Sequence, residues 1–434
     1  MCICDNIPPV RDGEMELKLV QIVWRHGDRS PTETFHTDIF QEDAWKFGGG
    51  GFGQLSPLGM KQHVNLGNML RKRYVNIDNA THKFLPAVYN SKSMYIRSTG
   101  INRTLVSAMS NMIGMYGQPA YGNNMGLDYP DDALWPVGFV PIPVHTVDYP
   151  SDCIGNIECD CPRREWIWGL AQETEEMQNW INSPEVSSVL SNLTSYINQT
   201  YALKDLWTVP DALFIEQIYF NETLRQNTSW FSDDFYTRLV AVNDRVYMYE
   251  YGIFDKPAYH GDMNIGVELL KIRAGGLMNE IYDRFVKKSE CTYGSKQPDC
   301  DTMDPLKYFV YSAHDETVYS VLVAFDIERF AIKPHGYPLY SAAVALEYWK
   351  NTTDNADYFK LVYHKEAGSG FDVMTSEIAG CHSDYCSMDI LKTVAHKYKP
   401  DLPINDWCQV VGSSNFGSTI MPFMIIVALS LEYL

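Results

Sequence analysis

The chain has 434 residues, of which 45 % are hydrophobic, 13 % aromatic and 21 % charged. That composition supplies ample material for a core and excludes wholesale disorder and fibrous repeats; at roughly 150 residues per domain, the length fits two to three domains or one large α/β domain with insertions. With 35 Lys and Arg against 54 Asp and Glu the formal charge is −19, which argues against nucleic acid as a partner but not against an anionic substrate, because a few residues set the potential of a site.

In chain order, Met1 to Glu16 holds no apolar stretch of the kind a signal peptide needs, so none is present as written. Leu17 to Trp24 is an apolar run rich in strand formers and predicts a buried strand. It ends abruptly in Arg25-His26-Gly27-Asp28-Arg29-Ser30-Pro31. Gly48 to Gly53 is a Gly/Phe loop. Ser56-Pro57 is an N-cap and first-turn pair that opens a helix to about Tyr74. Ser93 to Arg97 predicts a second strand, and Ser98-Thr99-Gly100 turns into a helix from Asn102 to about Met115. Pro-rich sequence from Pro119 to Pro150 predicts a long surface connection. From Arg163 to Glu280 the pattern is mostly helical. Lys307 to Ser312 predicts a third strand, followed by Ala313-His314-Asp315-Glu316 and a helix from Thr317 to Phe325. Ala342 to Trp349 and Tyr358 to His364 alternate like a closing antiparallel pair. The predicted organisation is an α/β core over 16–160 and 281–408, a mainly helical cap over 161–280, and a tail over 409–434.

The ten cysteines lie at 2 and 4; 153, 159 and 161; 291 and 300; 381 and 386; and 408. Short pairs in polar loops, such as Cys291 and Cys300, read as disulfide-closed loops of an oxidising compartment. No Cys-x-x-Cys occurs and Cys159-Asp160-Cys161 has no matching His pair, so a zinc site is not expected. Seven Asn-x-Ser/Thr sequons occur, at Asn79, Asn102, Asn192, Asn198, Asn221, Asn227 and Asn351; four of them cluster between 192 and 227, as on a glycosylated surface. Ile420 to Leu434 is an apolar tail after small residues, shorter than the roughly 20 residues that span a bilayer. It resembles a GPI-anchor signal, the alternatives being a frayed tail or a truncated membrane anchor. A GPI signal without an entry signal is inconsistent, so the natural N-terminus is expected to differ.

The chemistry gathers at three strand-to-helix junctions. Ligands of open α/β sheets bind outside the carboxyl ends of the strands, and helix N-termini there suit an anion. Arg25, His26 and Arg29 leave the first strand, Arg103 lies in the first turn after the second, and His314 and Asp315 leave the third. Cations packed this densely at the end of a buried strand repel one another unless an anion joins them.

The segments RHGDRSP (25–31), RSTGINRTLVSA (97–108) and SAHDET (312–317) resemble the three signature blocks of the histidine acid phosphatases. QLSPLGMKQHVNLGNMLRKRY (54–74) and PIPVHTVDYP (141–150) are similar to the prostatic and lysosomal branch, and the resemblance runs from about Glu16 to Cys408. It implies a mostly parallel central sheet flanked by helices, phosphoglycerate-mutase-like, with an inserted helical cap. It also implies hydrolysis of small phosphomonoesters at acidic pH through a phosphohistidine, without metal or other cofactor. His26 matches the nucleophile, with Gly27 giving the backbone room to approach the phosphate. Arg25, Arg29 and Arg103 match the phosphate clamp; guanidinium forks suit phosphate oxygens. His314 matches a further phosphate-binding imidazole, useful as a cation below pH 6. Asp315 matches the acid that protonates the leaving alcohol and then activates water. Cys161, Cys381, Cys386 and Cys408 fall where the branch has half-cystines, and Cys153 with Cys159 reads as a local replacement. A secretory location and a homodimer are further implications.

The sequence departs from the pattern at Glu316, where the vertebrate branch has Thr, and at Ser341, near which a half-cystine is expected. Asn102 adjoins Arg103, where a glycan would block the pocket, so that sequon is expected to be unused. Asp28 is expected in a salt bridge or a loop hydrogen bond. Two other functions remain open: a catalytically silent surface glycoprotein, from which one of these charged residues would be expected to be missing, and a phosphotransfer mutase, against which the cap and half-cystines argue.

Overall fold

The computed structural model describes residues 11–75, 84–294, 298–332 and 336–412. Cys2, Cys4, Asn79 and the apolar tail beyond 412 lie outside the described residues. Elements are numbered as they are introduced along the chain. Strand β1, Met15–Arg25, is the run of strand formers; from Leu19 onward every residue is buried. Such two-sided burial needs layers on both faces, which explains why the run is continuously apolar rather than alternating. Its polar exception, Gln21, is satisfied by the Ile281 carbonyl and Arg284.

Helix α1, Pro57–Tyr74, starts where the Ser56 hydroxyl accepts the Gly59 amide at 3.0 Å. Strand β2 is Met94–Thr99 and helix α2 is Asn102–Tyr116. The stretch read as a plain surface connection contains a further strand, β3, His145–Val147, parallel to β2. All three of its residues are exposed, so no apolar pattern marks it; pairing with Arg97–Thr99 alone makes it a strand.

A run of helices follows, including α3, Pro162–Gln172, α4, Thr208–Tyr219, and α5, Asp233–Glu250. After it, a π turn at Lys271–Gly275 leads into α6, Gly276–Tyr293. Strand β4, Tyr308–Ala313, is wholly buried and runs into α7, Asp315–Ala324. Strands β5, Ala343–Asn351, and β6, Asp357–His364, close the sheet as an antiparallel pair. The strand order is β6-β5-β1-β4-β2-β3, with two-residue strands at its margins.

The parallel half of this mixed sheet is β1, β4, β2 and β3. Arg25 pairs with Ala313, and Ser98 with Ser312. The carboxyl ends of three strands therefore emerge level with one another. Apolar layers cover both faces of the sheet. One includes Leu19, Val23, Leu277 and Ile281, and the other Val20, Ile22, Leu66 and Met112; a third cluster fills the helical run. Four disulfides occur among the described residues, Cys153–Cys159, Cys161–Cys408, Cys291–Cys300 and Cys381–Cys386. No helix among the described residues is long and apolar enough to cross a membrane.

Candidate active site

A cavity of about 510 Å³ opens at the level strand ends. His26, Arg29, Arg103, His314 and Asp315 all line it, brought together from positions up to 289 residues apart in sequence. Arg25 does not line it: one guanidinium nitrogen donates to the Pro338 carbonyl at 2.7 Å, and another lies 3.1 Å from an Asp315 oxygen.

His26 is 1 % exposed, and its backbone is pinned on both sides, its amide donating to the Ala313 carbonyl and its carbonyl accepting from Ser341. Its Nδ1 lies 2.8 Å from the Gly27 carbonyl. A carbonyl only accepts, so Nδ1 carries the proton and Nε2 keeps a lone pair. Burial, reinforced by Arg103, Arg29 and Arg25, drives the His26 pKa well below the ordinary imidazole value. Both effects favour the neutral ring that a nitrogen nucleophile needs.

The space beside Gly27 serves packing rather than ligand approach. A Cβ there would sit 2.4 Å from the Gly59 carbonyl oxygen, and a Cβ on Gly59 would sit 2.2 Å from that of Asp28. The two glycines let the start of α1 cross directly over the loop. Asp28 accepts hydrogen bonds from the Ser56 and Tyr219 hydroxyls and has no ion pair among the described residues.

The cations differ in how they are balanced. Arg29 already holds an anion: its two terminal nitrogens meet the Asp211 carboxylate at 2.8 and 3.1 Å. Arg103 has no hydrogen-bond or ion-pair partner among the described residues, and burial beside Arg29 pulls its pKa down to about 10. An unpaired guanidinium facing a cavity is poised for an anionic ligand. His314 is held by Thr99, with Nε2 3.0 Å from the hydroxyl, and its ring centroid lies 5.7 Å from that of His26. Burial and the three arginines push the His314 pKa well below its ordinary value too. This opposes the cationic form expected of His314 below pH 6, since three guanidinium groups already supply the positive field; a bound phosphoryl dianion would offset them.

Sequence reasoning missed several groups that shape the site. Asp211 reads as an ordinary acid in the first turn of α4. Tyr340 lies under the Arg25 guanidinium at 4.3 Å. His63 is 3.0 Å from the Arg25 carbonyl through Nε2, and Arg273 reaches the cavity from the π turn. Contacts of this kind leave no local pattern. The exception is Arg273, since π turns often mark functional positions, but such a turn is itself invisible in sequence.

The description "Histidine phosphatase superfamily (branch 2)" matches residues 16–364, most of the chain. The chain belongs to that family. Within this phosphatase family the chain is 32 % identical to putative acid phosphatase 10 of Caenorhabditis elegans over 404 residues, 92 % of this chain and 95 % of the relative. It is 32 % identical to human prostatic acid phosphatase, covering 74 % and 72 % of the two chains, and 31 % identical to human lysosomal acid phosphatase, covering 81 % and 74 %. A solved phytase from Klebsiella sp. ASR1 shares the fold with a TM-score of 0.58 at 13 % identity, over 89 % of this chain and 98 % of that one. The phosphatase family thus covers both halves of the sheet and the helical run between them.

Proposed function

We propose that the cavity hydrolyses phosphate monoesters at acidic pH through a phosphohistidine. The observation that carries this reading is the neutral, Nε2-exposing His26 beside the partnerless guanidinium of Arg103 in one cavity with Asp315. Arg29, Arg103 and His314 bind the phosphoryl oxygens. Arg25 supports them from behind, adding charge and holding Asp315 at 3.1 Å.

The His26 Nε2 lone pair attacks phosphorus. The ester P–O bond breaks, and its electron pair leaves with the alcohol oxygen, which takes the Asp315 proton. A water then attacks phosphorus and gives a proton to the Asp315 carboxylate. The P–N bond breaks, its electrons return to Nε2, and inorganic phosphate departs. Arginines spread over the equatorial oxygens stabilise both transition states.

The helical run over 161–280 acts in this reading as a cap that holds the leaving group. Four disulfides and the lysosomal and prostatic relatives support a secretory location. Attachment through the tail over 409–434 and a homodimer are carried on the resemblance alone. Neither a silent binding module nor a mutase is favoured by the relatives.

The test is turnover of p-nitrophenyl phosphate at pH 4–6, with acid quenching to trap the phosphoenzyme. His26→Ala abolishes both turnover and trapped phosphate. Asp315→Asn slows the first step by about 10²–10⁴-fold with poor leaving groups, and far less with p-nitrophenol, which leaves without a proton. A folded wild-type protein that turns nothing over ends the proposal.

A further inference from the structure

We propose that Tyr149 is a further substrate-binding residue, its hydroxyl donating a hydrogen bond to a phosphoryl oxygen beside Arg103. The inference rests on the phosphatase reading and adds to it a neutral donor carried by an element outside the three strand-to-helix junctions.

The fold brings this side chain to the site by a separate route. Strand β3 runs parallel to β2 with Val147 paired to Thr99, so it too ends level with the other strands. The chain leaving it makes a 3-10 turn over Tyr149–Ser151, and Tyr149 lines the cavity with Arg103 and His314. Its ring stands edge-on to that of His314, with the centroids 5.9 Å apart. The loop that follows is tied down. Asn156 donates to the Tyr149 carbonyl at 2.9 Å, Asp152 pairs with Arg97, and Cys153–Cys159 closes the loop. The Gly155 carbonyl accepts from the Thr317 hydroxyl at 2.8 Å. Thr317 lies two residues after Asp315 on α7, so Tyr149 is referenced to the helix that holds the proposed acid. Support of this kind keeps a side chain in a productive geometry.

The hydroxyl itself supplies the second argument. It makes no hydrogen bond among the described residues, and it is not one of the sealed, unpartnered polar atoms of the interior, so it keeps accessible surface on the cavity side. Of the charges around it, the Arg103 guanidinium acts on it most strongly. Glu316, Glu158 and Asp315 act on it as well, yet none accepts its O–H. Two donors without partners among the described residues, one phenol and one guanidinium, therefore converge on the same stretch of wall. Convergent donors suit a ligand with several charged acceptor oxygens, as a phosphoryl group has. Burial pushes the phenol up to about 12 against the pull of Arg103, so at pH 4–6 it keeps its proton and acts as a donor. Both terminal nitrogens of Arg29 already meet Asp211, which shifts recognition of the phosphoryl oxygens toward Arg103 and its neighbour.

The test uses the full chain and Tyr149→Phe, which keeps the ring against His314 and removes only the hydroxyl. Its kcat/KM is expected to fall by about ten- to a hundredfold, the scale of a hydrogen bond to a charged group, and by the same factor for p-nitrophenyl and propyl phosphate, because the contact is to the phosphoryl group and not to the leaving group. The inhibition constant of inorganic phosphate rises with it, and added phosphate raises the melting temperature of the variant less than that of wild type. Tyr149→Leu is expected to lose little more than Tyr149→Phe. Phosphate inhibition unchanged in Tyr149→Phe, a loss confined to one leaving group, or activity lost in Tyr149→Leu but kept in Tyr149→Phe overturns the inference, the last by showing that the ring and not the hydroxyl matters. Should Tyr149→Phe not fold, the phosphate inhibition of Tyr149→Gln decides: this side chain keeps a donor, so binding retained there but lost in Tyr149→Leu supports the contact, and equal loss in both overturns it. Wild-type protein that turns over no ester overturns the phosphatase reading, and the phosphate-dependent melting shifts then still decide the role of Tyr149.

Discussion

Arg29 is paired with the Asp211 carboxylate at the place where a phosphoryl group is proposed to arrive. Both partners are nearly buried, at 6 % and 7 % side-chain exposure, so removing Asp211 strands a desolvated guanidinium. Asp211→Ala is expected to lower stability by about 3–5 kcal/mol in phosphate-free buffer. Inorganic phosphate then takes over the vacated fork, so added phosphate should raise the melting temperature of the variant more than that of wild type; equal shifts would show that the fork does not meet the ligand.

A second buried acid governs pH behaviour. Glu216 is fully buried against Asp38, and burial, reinforced by that neighbouring carboxyl, pushes its pKa up to about 10 from an ordinary 4.5. The folded state therefore binds a proton that the unfolded state releases between those values. This contribution is complete below pH 4.5 and is lost as pH rises toward 10. Glu216→Gln abolishes the titration, so the unfolding free energy of the variant relative to wild type should rise from pH 5 to pH 8. The buried His63, pulled down to about 3 chiefly by desolvation, acts in the opposite sense, its contribution fading as pH falls below 6.5.

At the level of elements, the helices that begin at the site are locked by a crossing without side chains. A Cβ on Gly67 of α1 would sit 2.1 Å from the Asn111 carbonyl oxygen, and one on Gly114 of α2 would sit 2.1 Å from that of Val64. Backbone meets backbone, so neither helix can yield cheaply. Gly67→Ala is expected to cost about 1–3 kcal/mol of stability. Gly169 of α3 meets nothing within 4 Å, and Gly169→Ala should stabilise by about 0.5–1 kcal/mol through helix propensity. Urea midpoints of the two variants moving in the same direction would refute this account. The same level explains what the sequence discloses. Strand β1 and the Ser56-Pro57 helix start are legible because burial and capping are local, and with them the junctions carrying His26, Arg103 and Asp315. The pairing of exposed β3 and the meeting of Asp211 with Arg29 across 182 residues are decided by tertiary packing, which no local pattern encodes. Gly27 shows the boundary: its presence was readable, but its partner Gly59 was not.

At the scale of the whole molecule, one long covalent closure stands out among the described residues. Cys161, at the start of α3, bonds Cys408 across a separation of 247 residues, whereas Cys381–Cys386 spans 5. Native contacts around the long closure do not depend on its sulfurs. The Arg163 amide donates to the Cys408 carbonyl at 2.9 Å, its guanidinium donates to the Val410 carbonyl at 2.9 Å, and the same group stacks on Trp407 at 4.3 Å. Opening the bridge therefore acts chiefly on the unfolded chain. Loop-closure entropy assigns about 5 kcal/mol to the long closure and about 2 kcal/mol to the short one. The double variant Cys161→Ser with Cys408→Ser should thus show a clearly larger drop in urea midpoint than Cys381→Ser with Cys386→Ser, while keeping the near-native KM for p-nitrophenyl phosphate that intact Arg163 contacts imply. A larger loss from the short bridge would mean that native packing around the cysteines, rather than the length of chain they close, sets their value.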